Sequence, residues 1–575
     1  MQAFPASKHP KGLFVLFFAE MWERFSYYGM RALLVLYVTS SLMRSDKYAN
    51  DDVYGSFTGL IWLSPLLGGY FADRLWGNRR SIVRGGFLMA LGQVLMFVSA
   101  SYTEDKILAH TLMWIALSVL ILGMGFFKPN ISSLVGALYP KGDKRLDSSY
   151  TIFYMGINLG SFIGPLICGG LGEKYDASGN AVQEAFKWGF LSAGVAMALG
   201  TLVFIWLKDK YLTGPDGKPL GVVPNRQTEN ADTKPATRES TAASFKNTAI
   251  WATVTVILLL IFRFVLDSDW IGAFIFSIAI GVSGLIIFDK SLSPGERGRV
   301  MVIFLSAFFV IFFWAAFEQA GASLTLFARD NIDRSYAINT YLGNMVAGLL
   351  GMAVVLYYFL YRIMEIPREL KMLFGTLAAG AAVFAIYHYV QGTRYNLAEV
   401  PASWFNSING LWIILLAPVL SQVWEALGRK NLEPSSPKKQ AIGLIFLALG
   451  YLLIAYGVKD VIGKTSMLWL IGLYFLHTLG ELSVSPIGLS LVNKLAPARF
   501  TSILMGVWFV SNAAANKFAG KLGALLPSEG ATNILGYKIN NLYDFFIVFV
   551  VISTIAALLL FMLSGWMEKR MGDVK

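Results

Sequence analysis

Long apolar stretches alternate with short polar segments along most of the chain. Most stretches approach or exceed the roughly 20 residues with which a helix crosses a bilayer, so the pattern predicts an all-α polytopic membrane protein. Six spans are predicted before a long polar segment interrupts the pattern. These six spans cover residues 13–41, 53–73, 80–100, 108–138, 148–171 and 185–207.

After the polar segment the pattern predicts ten further spans. Residues 247–266 and 270–288 predict one inserted hairpin, and residues 340–361 and 371–391 predict a second. For the second pair, two helices that lie in the membrane interface or pack outside the membrane are an alternative. The other six spans cover residues 300–328, 403–427, 440–458, 467–493, 500–525 and 541–567.

Two sets of six spans on either side of a polar linker predict two six-helix bundles built as repeats. The linker is rich in proline, glycine and charge, as flexible connections between bundles are. The predicted regions are an N-terminal bundle at 1–207, a cytoplasmic linker at 208–246, an inserted hairpin at 247–290, and a C-terminal bundle at 291–575 that includes the second hairpin at about 340–391.

Composition supports a membrane protein and excludes an ordinary soluble one. Of the 575 residues, 55% are hydrophobic and only 15% are charged, and the mean hydropathy is +0.56. The net charge of +12 comes from basic residues in short loops, where they direct membrane orientation rather than bind nucleic acid. Their distribution predicts that both termini are cytoplasmic. The one cysteine, Cys168, allows no intrachain disulfide and no cysteine-based metal site.

Several predicted spans carry charges, which are costly in a bilayer and therefore indicate partners or a water-filled cavity. In the first span the charges recur at helical spacing and form one polar stripe. The others fall on the fourth helix of the first bundle and on the first and fourth helices of the second. Charges on equivalent helices favour a transport pathway over separate salt bridges that brace helices. The charged residues are Glu20, Glu23, Arg24, Arg31, Lys128, Glu318 and Glu481.

These charged residues lie in motifs that resemble a known transporter family. The first motif, Glu20-Met-Trp-Glu-Arg-Phe-Ser-Tyr-Tyr28, is similar to the E-x-x-E-R-F-x-Y-Y signature of the proton-dependent oligopeptide transporters, a branch of the major facilitator superfamily. Four further motifs agree in order and spacing, and the resemblance covers nearly the whole chain except the linker and the hairpins. They are Gly69-Tyr-Phe-Ala-Asp-Arg-Leu-Trp-Gly77, Phe153-Tyr-Met-Gly-Ile-Asn-Leu-Gly160, Phe313-Trp-Ala-Ala-Phe-Glu-Gln319 and Glu481-Leu-Ser-Val-Ser-Pro486.

The resemblance implies the major facilitator fold and a proton-driven symporter of di- and tripeptides. Opposite charges on opposite walls suit a zwitterionic peptide, with Lys128 and Arg31 near its carboxylate and Glu481 near its ammonium group. Trp314 and Trp508 would shape apolar pockets, unless they belong to the aromatic belt at the membrane interface. The implied peptide-binding residues are Tyr28, Arg31, Tyr70, Lys128, Asn158, Trp314, Asn409, Glu481, Ser485 and Trp508.

Proton coupling needs carboxylates whose affinity for a proton changes when nearby cations move. We expect these groups to titrate as a set, because strongly interacting sites share their protons. The implied proton-coupling residues are Glu20, Glu23, Arg24, Lys128 and Glu318.

The loop after the second span resembles a superfamily motif, and the resemblance implies that it latches the two halves in one state. An ordinary cluster of basic residues on the cytoplasmic side would explain Arg79 and Arg80 equally well, but it would not explain Asp73. The residues of this cytoplasmic motif are Gly69, Asp73, Arg74 and Arg79.

Two features depart from the family pattern. Where the family commonly reads W-F-Q-S-L-N-P, the chain has Trp404-Phe-Asn-Ser-Ile-Asn-Gly410. This segment keeps Asn409 but replaces the glutamine with Asn406 and the proline with Gly410. The hairpin at 340–391 is the second departure. The first bears on substrate selectivity and the second on the periplasmic rim of the second half, and neither changes the charged residues.

The sequence favours a transporter in the bacterial inner membrane. Its predicted partners are short peptides and the lipid bilayer, with no nucleic acid, no metal, no cofactor apart from the coupling proton, and a monomeric state. The alternatives are a symporter of nitrate or another small anion, and a receptor or scaffold that transports nothing. An enzyme is disfavoured because the histidines lie in separate elements without metal-ligand spacing. The four histidines are His9, His110, His388 and His477.

Overall fold

The computed structural model is built mostly from helices. It describes residues 8–140, 142–176, 179–222, 238–336, 338–397, 399–485, 487–497 and 500–572. The first helices are α1 (Lys11–Leu36), α2 (Ser56–Phe71), α3 (Gly77–Ser101), α4 (Lys106–Ala137), α5 (Leu146–Gly172) and α6 (Phe186–Tyr211), followed by a first hairpin of α7 (Arg238–Phe264) and α8 (Trp270–Ile287).

The second part of the chain begins with a broken helix and a second hairpin. The broken helix consists of α9 (Pro294–Phe317) and α10 (Ser323–Asn331), and the second hairpin of α11 (Leu342–Ile363) and α12 (Arg368–Val390). The remaining helices are α13 (Phe405–Arg429), α14 (Ser436–Val458), α15 (Met467–Val484), α16 (Ile487–Leu495), α17 (Thr501–Gly523) and α18 (Leu542–Met571).

Short strands pair at the connections between helices. Strand β1 pairs in parallel with β4, and β2–β3 and β5–β6 form antiparallel hairpins. The strands are β1 (Ile332–Asp333), β2 (Ile338–Tyr341), β3 (Arg394–Leu397), β4 (Thr465–Ser466), β5 (Thr532–Ile534) and β6 (Tyr537–Ile539).

A long helix lies at each of the sixteen predicted spans, which confirms the all-α class. Among the described residues, thirteen helical segments are long and apolar enough to cross a membrane, and one of them, Tyr48–Ser101, contains two predicted spans. Helix α1, which carries the polar stripe, and helix α17 are not among the thirteen. Helices enter the predicted linker at 208–246 from both ends, since α6 continues to Tyr211 and α7 begins at Arg238. Residues 223–237 lie outside the described residues.

Two predicted spans are broken in the structure. Residues 300–328 divide into α9 and α10 around one 3₁₀ turn, Glu318–Gly321. Gly321 lies so close to Tyr54 that a Cβ there would come within 2.5 Å of the tyrosine hydroxyl oxygen. Residues 467–493 divide into α15 and α16, and Pro486 at that break lies outside the described residues. The first break lets the backbone of α9 and α10 approach the segment that leads into α2.

The helices form two bundles that meet chiefly at two pairs of helices. Helices α1–α6 pack together as the N-terminal half, and α9, α10 and α13–α18 pack together as the C-terminal half. Across the halves, α2 contacts α17 and α5 contacts α13. The start of α1 and the end of α18 mark what we name the terminal end, and the opposite end is the distal end. Close backbone approach joins the halves distally, where a Cβ on Gly520 would lie 2.7 Å from the Cα of Gly55.

The second hairpin extends from one end of the molecule to the other. Strands β2 and β3 join its base at the distal end, and its tip at Met364 bridges to His9 at the terminal end. Its helices have 22 and 23 residues, which at about 1.5 Å per residue matches a hydrocarbon core of about 30 Å. This length and direction favour spanning helices over helices that lie in the interface.

Candidate functional site

The charged residues of α1 are buried together with Lys128 of α4. Glu20 and Glu23 have no exposed surface, and Lys128 donates a hydrogen bond to Glu20. Arg24 donates from Nε and Nη2 to the two oxygens of Glu23, at 2.5 and 2.6 Å. Two carboxylates and two cations thus form a compact cluster, as buried charges require. The structure brings together all four of these predicted residues.

Arg31 lies two helical turns further along α1 and pairs across the two halves. Its Nη1 donates to Oε2 of Glu318 at 2.7 Å. The hydroxyl of Tyr54 donates to the same carboxylate oxygen at 3.0 Å and contacts the Glu318 carbonyl oxygen at 3.1 Å. Glu318 stands at the break between α9 and α10, which turns its side chain toward the N-terminal half. Sequence analysis missed Tyr54, because one tyrosine at the start of an apolar span carries no distinguishing pattern.

The facing wall of the site is built on α15 and α13. Asn409 donates from Nδ2 to Oε2 of Glu481 at 2.8 Å and contacts the hydroxyl of Thr478 at 3.1 Å. Glu481 is 8% exposed, and Gly410, next to its partner Asn409, packs against Ser161 of the N-terminal half. This wall therefore presents an oriented carboxylate opposite the cations of the N-terminal half.

The other predicted peptide-binding residues differ in exposure. Tyr28 and Trp314 are half-buried, whereas Asn158 and Trp508 are buried. Burial of Trp508 inside the protein removes it from the aromatic belt at the membrane interface. Tyr70 is 54% exposed, and Ser485, one turn beyond Glu481, is also exposed.

The described side chains of the predicted latch, at the end of α2 and the start of α3, make contacts within the N-terminal half. Arg79 donates to Oδ1 of Asp209 at 2.8 Å and to the carbonyl oxygen of Leu212, so it ties α3 to the end of α6 within one half. The exposed guanidinium of Arg74 lies 4.8 Å from the ring centroid of Tyr70. Gly69 faces open space, and the side chain of Asp73 lies outside the described residues.

Both substituted positions on α13 make contacts that a larger residue would change. Asn406 donates from Nδ2 to the hydroxyl of Thr325 at 3.0 Å, which links α13 to α10. A Cβ on Gly410 would lie 2.7 Å from Oγ of Ser161 on α5. Glycine at this position therefore lets the two halves approach each other closely.

A buried lysine joins three elements at the distal end. Lys517 of α17 is fully buried, and its Nζ lies 2.7 Å from Oδ1 of Asp51 and 2.8 Å from Oδ2 of Asp269. It also donates to the hydroxyl of Ser56 at 3.1 Å. Burial acts to raise the pKa of Asp269, but the Lys517 ammonium and the Gly272 N–H outweigh it, so that pKa lies below its usual range. Lys517 thus connects both halves with the first hairpin.

A buried carboxylate makes a second distal contact across the halves. Glu173 follows α5 and accepts hydrogen bonds from the backbone N–H groups of Ala402 at 2.7 Å and Ser403 at 2.9 Å. These groups begin the turn that leads into α13, where a negative charge is favourable. Next to them, Nε1 of Trp404 donates to the carbonyl oxygen of Leu166 at 3.0 Å.

Together, these cross-half contacts of Lys517 and Glu173 and the pair of Arg31 with Glu318 form what we name the distal closure. Exposed site residues lie on the other side, since 27% of the Lys128 side chain is accessible and Ser485 follows Glu481 towards the terminal end. The cross-half contacts therefore lie on the distal side of the site, and its exposed residues lie on the terminal side.

Comparisons with known proteins agree with this architecture. A model of the POT family matches residues 79–385 and 371–534, more than half of the chain. The peptide transporter YePEPT of Yersinia enterocolitica is 33% identical, over 91% of this chain and 89% of that protein. A di-/tripeptide transporter of Lactococcus lactis is 29% identical, over 98% of this chain and 97% of that protein.

Solved structures agree with the sequence comparisons. A crystal structure of the peptide transporter POT in complex with sulfate is 29% identical and has a TM-score of 0.70, with 98% of this chain and 96% of that chain covered. The proteins with similar structures are transporters with the major facilitator fold, and they are not enzymes. The chain belongs to the POT family of membrane transporters.

Proposed function

We propose that the protein is a proton-coupled symporter that imports di- and tripeptides by alternating access. The observation that carries this proposal is the pair of charged walls: Lys128 and Arg31 belong to the N-terminal half, and Glu481 belongs to the C-terminal half. A short peptide ends in one carboxylate and one ammonium group, so two walls of opposite charge bind both of its ends. A simple anion would use only one wall.

The peptide carboxylate is proposed to bind between Arg31 and Lys128. Nε of Arg31 is buried and has no hydrogen-bond partner among the described residues, so it is available to an incoming carboxylate. Lys128 is already bound to Glu20, and the peptide would compete with that carboxylate. On the facing wall, Asn409 fixes the orientation of the Glu481 carboxylate that would receive the peptide ammonium group. Tyr28 and Asn158 lie on the helices between these ends and are proposed to bond the peptide amides.

Proton coupling is proposed to act through Arg31. A proton on Glu318 removes the negative charge that holds Arg31, and it thereby weakens one contact of the distal closure. A peptide carboxylate bound to Arg31 weakens the same contact. The proton and the peptide thus favour the same change of state, as symport requires. The second carboxylate group, Glu20 and Glu23, is proposed to respond when the peptide displaces Lys128.

The protein is proposed to be a monomer in the bacterial inner membrane with both termini in the cytoplasm. In that orientation the distal closure faces the periplasm, and the site is reached from the cytoplasm. Basic residues at the terminal end support this orientation, because positive loops stay on the cytoplasmic side. Rocking of the two halves about the charged walls would then expose the site to each side in turn.

Uptake into proteoliposomes tests the proposal. With an imposed pH gradient, acidic outside, radiolabelled dialanine should accumulate above the level reached with an uncoupler. Glu481→Gln should abolish this accumulation, while Glu433→Gln, in an exposed loop, should retain it. Dialanine that never exceeds the uncoupler level would refute the symporter. If nitrate accumulates under the same gradient and dialanine does not, the substrate is an anion and not a peptide.

A further inference from the structure

The second hairpin is inserted in the C-terminal half but binds the N-terminal half at its tip. The backbone N–H of His9 donates to the carbonyl oxygen of Ile363 at 3.3 Å, and the N–H of Glu365 donates to the carbonyl oxygen of His9 at 3.1 Å. Nζ of Lys8 also donates to the carbonyl oxygen of Tyr361 at 2.9 Å. The segment before α1 therefore forms a single parallel β-bridge, between His9 and Met364, with the hairpin tip.

Side chains reinforce this docking at the end of α6. The Glu369 carboxylate accepts a hydrogen bond from the Tyr211 hydroxyl at 2.8 Å and another from Nζ of Lys210. Lys11 lies 3.8 Å from Glu365, a longer and more exposed pair that contributes little. Glu369 therefore provides the main polar contact between α12 and the N-terminal half.

An apolar contact continues the docking into the membrane region. The ring of Phe374 on α12 lies 6.2 Å from the ring centroid of Phe14 and 5.8 Å from that of Phe18, both on α1. Met364 and Leu370 at the tip are fully buried. Aromatic pairs at these distances add to the burial of apolar area, so the interface combines hydrogen bonds with a packed apolar core.

The base of the hairpin also lies beside the N-terminal half. Nζ of Lys174, which follows α5, lies 5.7 Å from the ring centroid of Tyr395 in β3. Arg334, in the chain between β1 and β2, is buried 3.8 Å from Glu173. The hairpin thus has contacts with the N-terminal half at both of its ends, although the chain joins it to α10 and α13.

We propose that the second hairpin moves as part of the N-terminal half during transport and acts as a strap between the halves. Two backbone hydrogen bonds, the Glu369 contacts and the Phe374 packing hold its tip and α12 to α1 and α6. Its base is joined to α10 and α13 by the chain and by hydrogen bonds of Arg334 with the carbonyl oxygens of Arg329 and Val400. When the halves separate at the distal end, the displacement occurs between the hairpin and the C-terminal half. The hairpin therefore limits how far the distal closure opens. This inference holds for any alternating-access cycle and does not depend on the substrate.

Distances between spin labels in the full-length, lipid-reconstituted protein test this proposal. Exposed positions for introduced cysteines are Met372 on the hairpin, Leu202 on α6 and Met562 on α18, and the native Cys168 is buried. The pair Leu202→Cys with Met562→Cys reports the motion of the halves. The pH and the dialanine concentration are varied until the distance between Leu202→Cys and Met562→Cys changes. The two conditions that differ in this distance are then used for the comparison.

Between those two conditions, the distance from Met372→Cys to Leu202→Cys should stay constant, and the distance from Met372→Cys to Met562→Cys should shift with the motion of the halves. A constant distance to Met562→Cys together with a shift relative to Leu202→Cys would overturn the proposal.

The Glu369 contact supplies a second measurement. Glu369→Gln should broaden the distance distribution between Met372→Cys and Leu202→Cys, because the Lys210 and Tyr211 contacts lose the negative charge that they share. Glu433→Gln, a matched change in a loop of the C-terminal half, should leave this distribution unchanged. If this distance distribution has the same width in Glu369→Gln as in wild type, the Glu369 contact does not hold the hairpin tip to the N-terminal half, and this part of the proposal is overturned.

Discussion

At the residue scale, Glu318 is the proposed link between proton binding and the distal closure, because its carboxylate receives both Arg31 and Tyr54. Glu318→Gln keeps the size of the side chain but removes its charge and its ability to release a proton. We expect gradient-driven dialanine accumulation to fall at least about tenfold, since a hydrogen bond to a charged group contributes about 1.5–3 kcal/mol. Counterflow exchange between dialanine pools should persist, because it needs no net proton movement.

The control for this prediction is Glu433→Gln, which changes an exposed carboxylate outside the site and should leave both assays at wild-type levels. Gradient-driven accumulation by Glu318→Gln at the wild-type level would show that the proton does not bind at Glu318. Loss of both accumulation and counterflow would indicate a defect in peptide binding instead.

Residues of the charged site could be predicted only where a local sequence pattern, such as helical spacing or a charge in an apolar span, marks them. The α1 stripe follows from helical periodicity, and Lys128, Glu318 and Glu481 follow from the cost of charges in apolar spans. The same criterion applies to Lys517, a charge within the predicted span 500–525, which sequence analysis passed over. Glu173 carries no such signal, because it lies in a loop and its partners are backbone groups far away in the sequence.

At the element scale, Lys517 fixes α17 against the start of α2 and the start of α8. Lys517→Met keeps the length of the side chain but leaves Asp51 and Asp269 without their buried cation. Removing one partner of a buried ion pair typically costs about 3–5 kcal/mol, so we expect a clear drop in the thermal unfolding temperature of the purified protein. Lys521→Met is the matched control on the same helix, because Lys521 lies 3.8 Å from Asp51 and such partly exposed pairs contribute about 0–1 kcal/mol. Equal effects of the two substitutions would contradict the role given to Lys517.

A second element-scale prediction concerns the contact between α5 and α13. Glu173→Gln removes the charge that receives the N–H groups of Ala402 and Ser403, and the distal closure should therefore open more often. A cysteine introduced at Ser161, which is 5% exposed between these helices, should react several-fold faster with a membrane-impermeant maleimide added from the distal side. A hydrogen bond to a charged group contributes about 1.5–3 kcal/mol, which is enough for a several-fold change in the labelling rate.

Glu184→Gln serves as the control for this labelling experiment, because Glu184 is highly exposed at the same end of the molecule. It should leave the rate at Ser161→Cys unchanged, and the protein without an introduced cysteine should give no signal from buried Cys168. A rate in Glu173→Gln that matches the control would mean that the remaining distal contacts hold the closure without Glu173.

Elements were easier to predict than their breaks and contacts. Apolar length located all sixteen long helices, because crossing a bilayer imposes that length on any sequence. The break at Glu318–Gly321 was not predicted, since it depends on the approach of Tyr54 from the other half. The docking of α12 onto α1 and α6 was not predicted either, because Glu369 and its partners are separated by more than 150 residues in sequence.

At the scale of the whole molecule, the order of the helices and the positions of both hairpins predict on which side of the membrane each loop lies. Cysteines introduced at Tyr336, at the distal end before the second hairpin, and at Ile462, in the distal loop before α15, should react with an impermeant reagent in intact cells. Both positions are highly exposed. Cysteines introduced at Arg362, near the hairpin tip, and at Leu432, in the terminal loop after α13, should react only after the membrane is permeabilised.

This pattern separates a spanning hairpin from the interfacial alternative. Leu432→Cys and Ile462→Cys lie on either side of α14 and fix the orientation of the C-terminal half independently of the hairpin. If Arg362→Cys reacts in intact cells while Leu432→Cys stays protected, α11 and α12 do not cross the bilayer, and the hairpin cannot reach α1 at the terminal end. If Arg362→Cys and Leu432→Cys are protected together, the tip and the N-terminal segment share one compartment, as their backbone hydrogen bonds require.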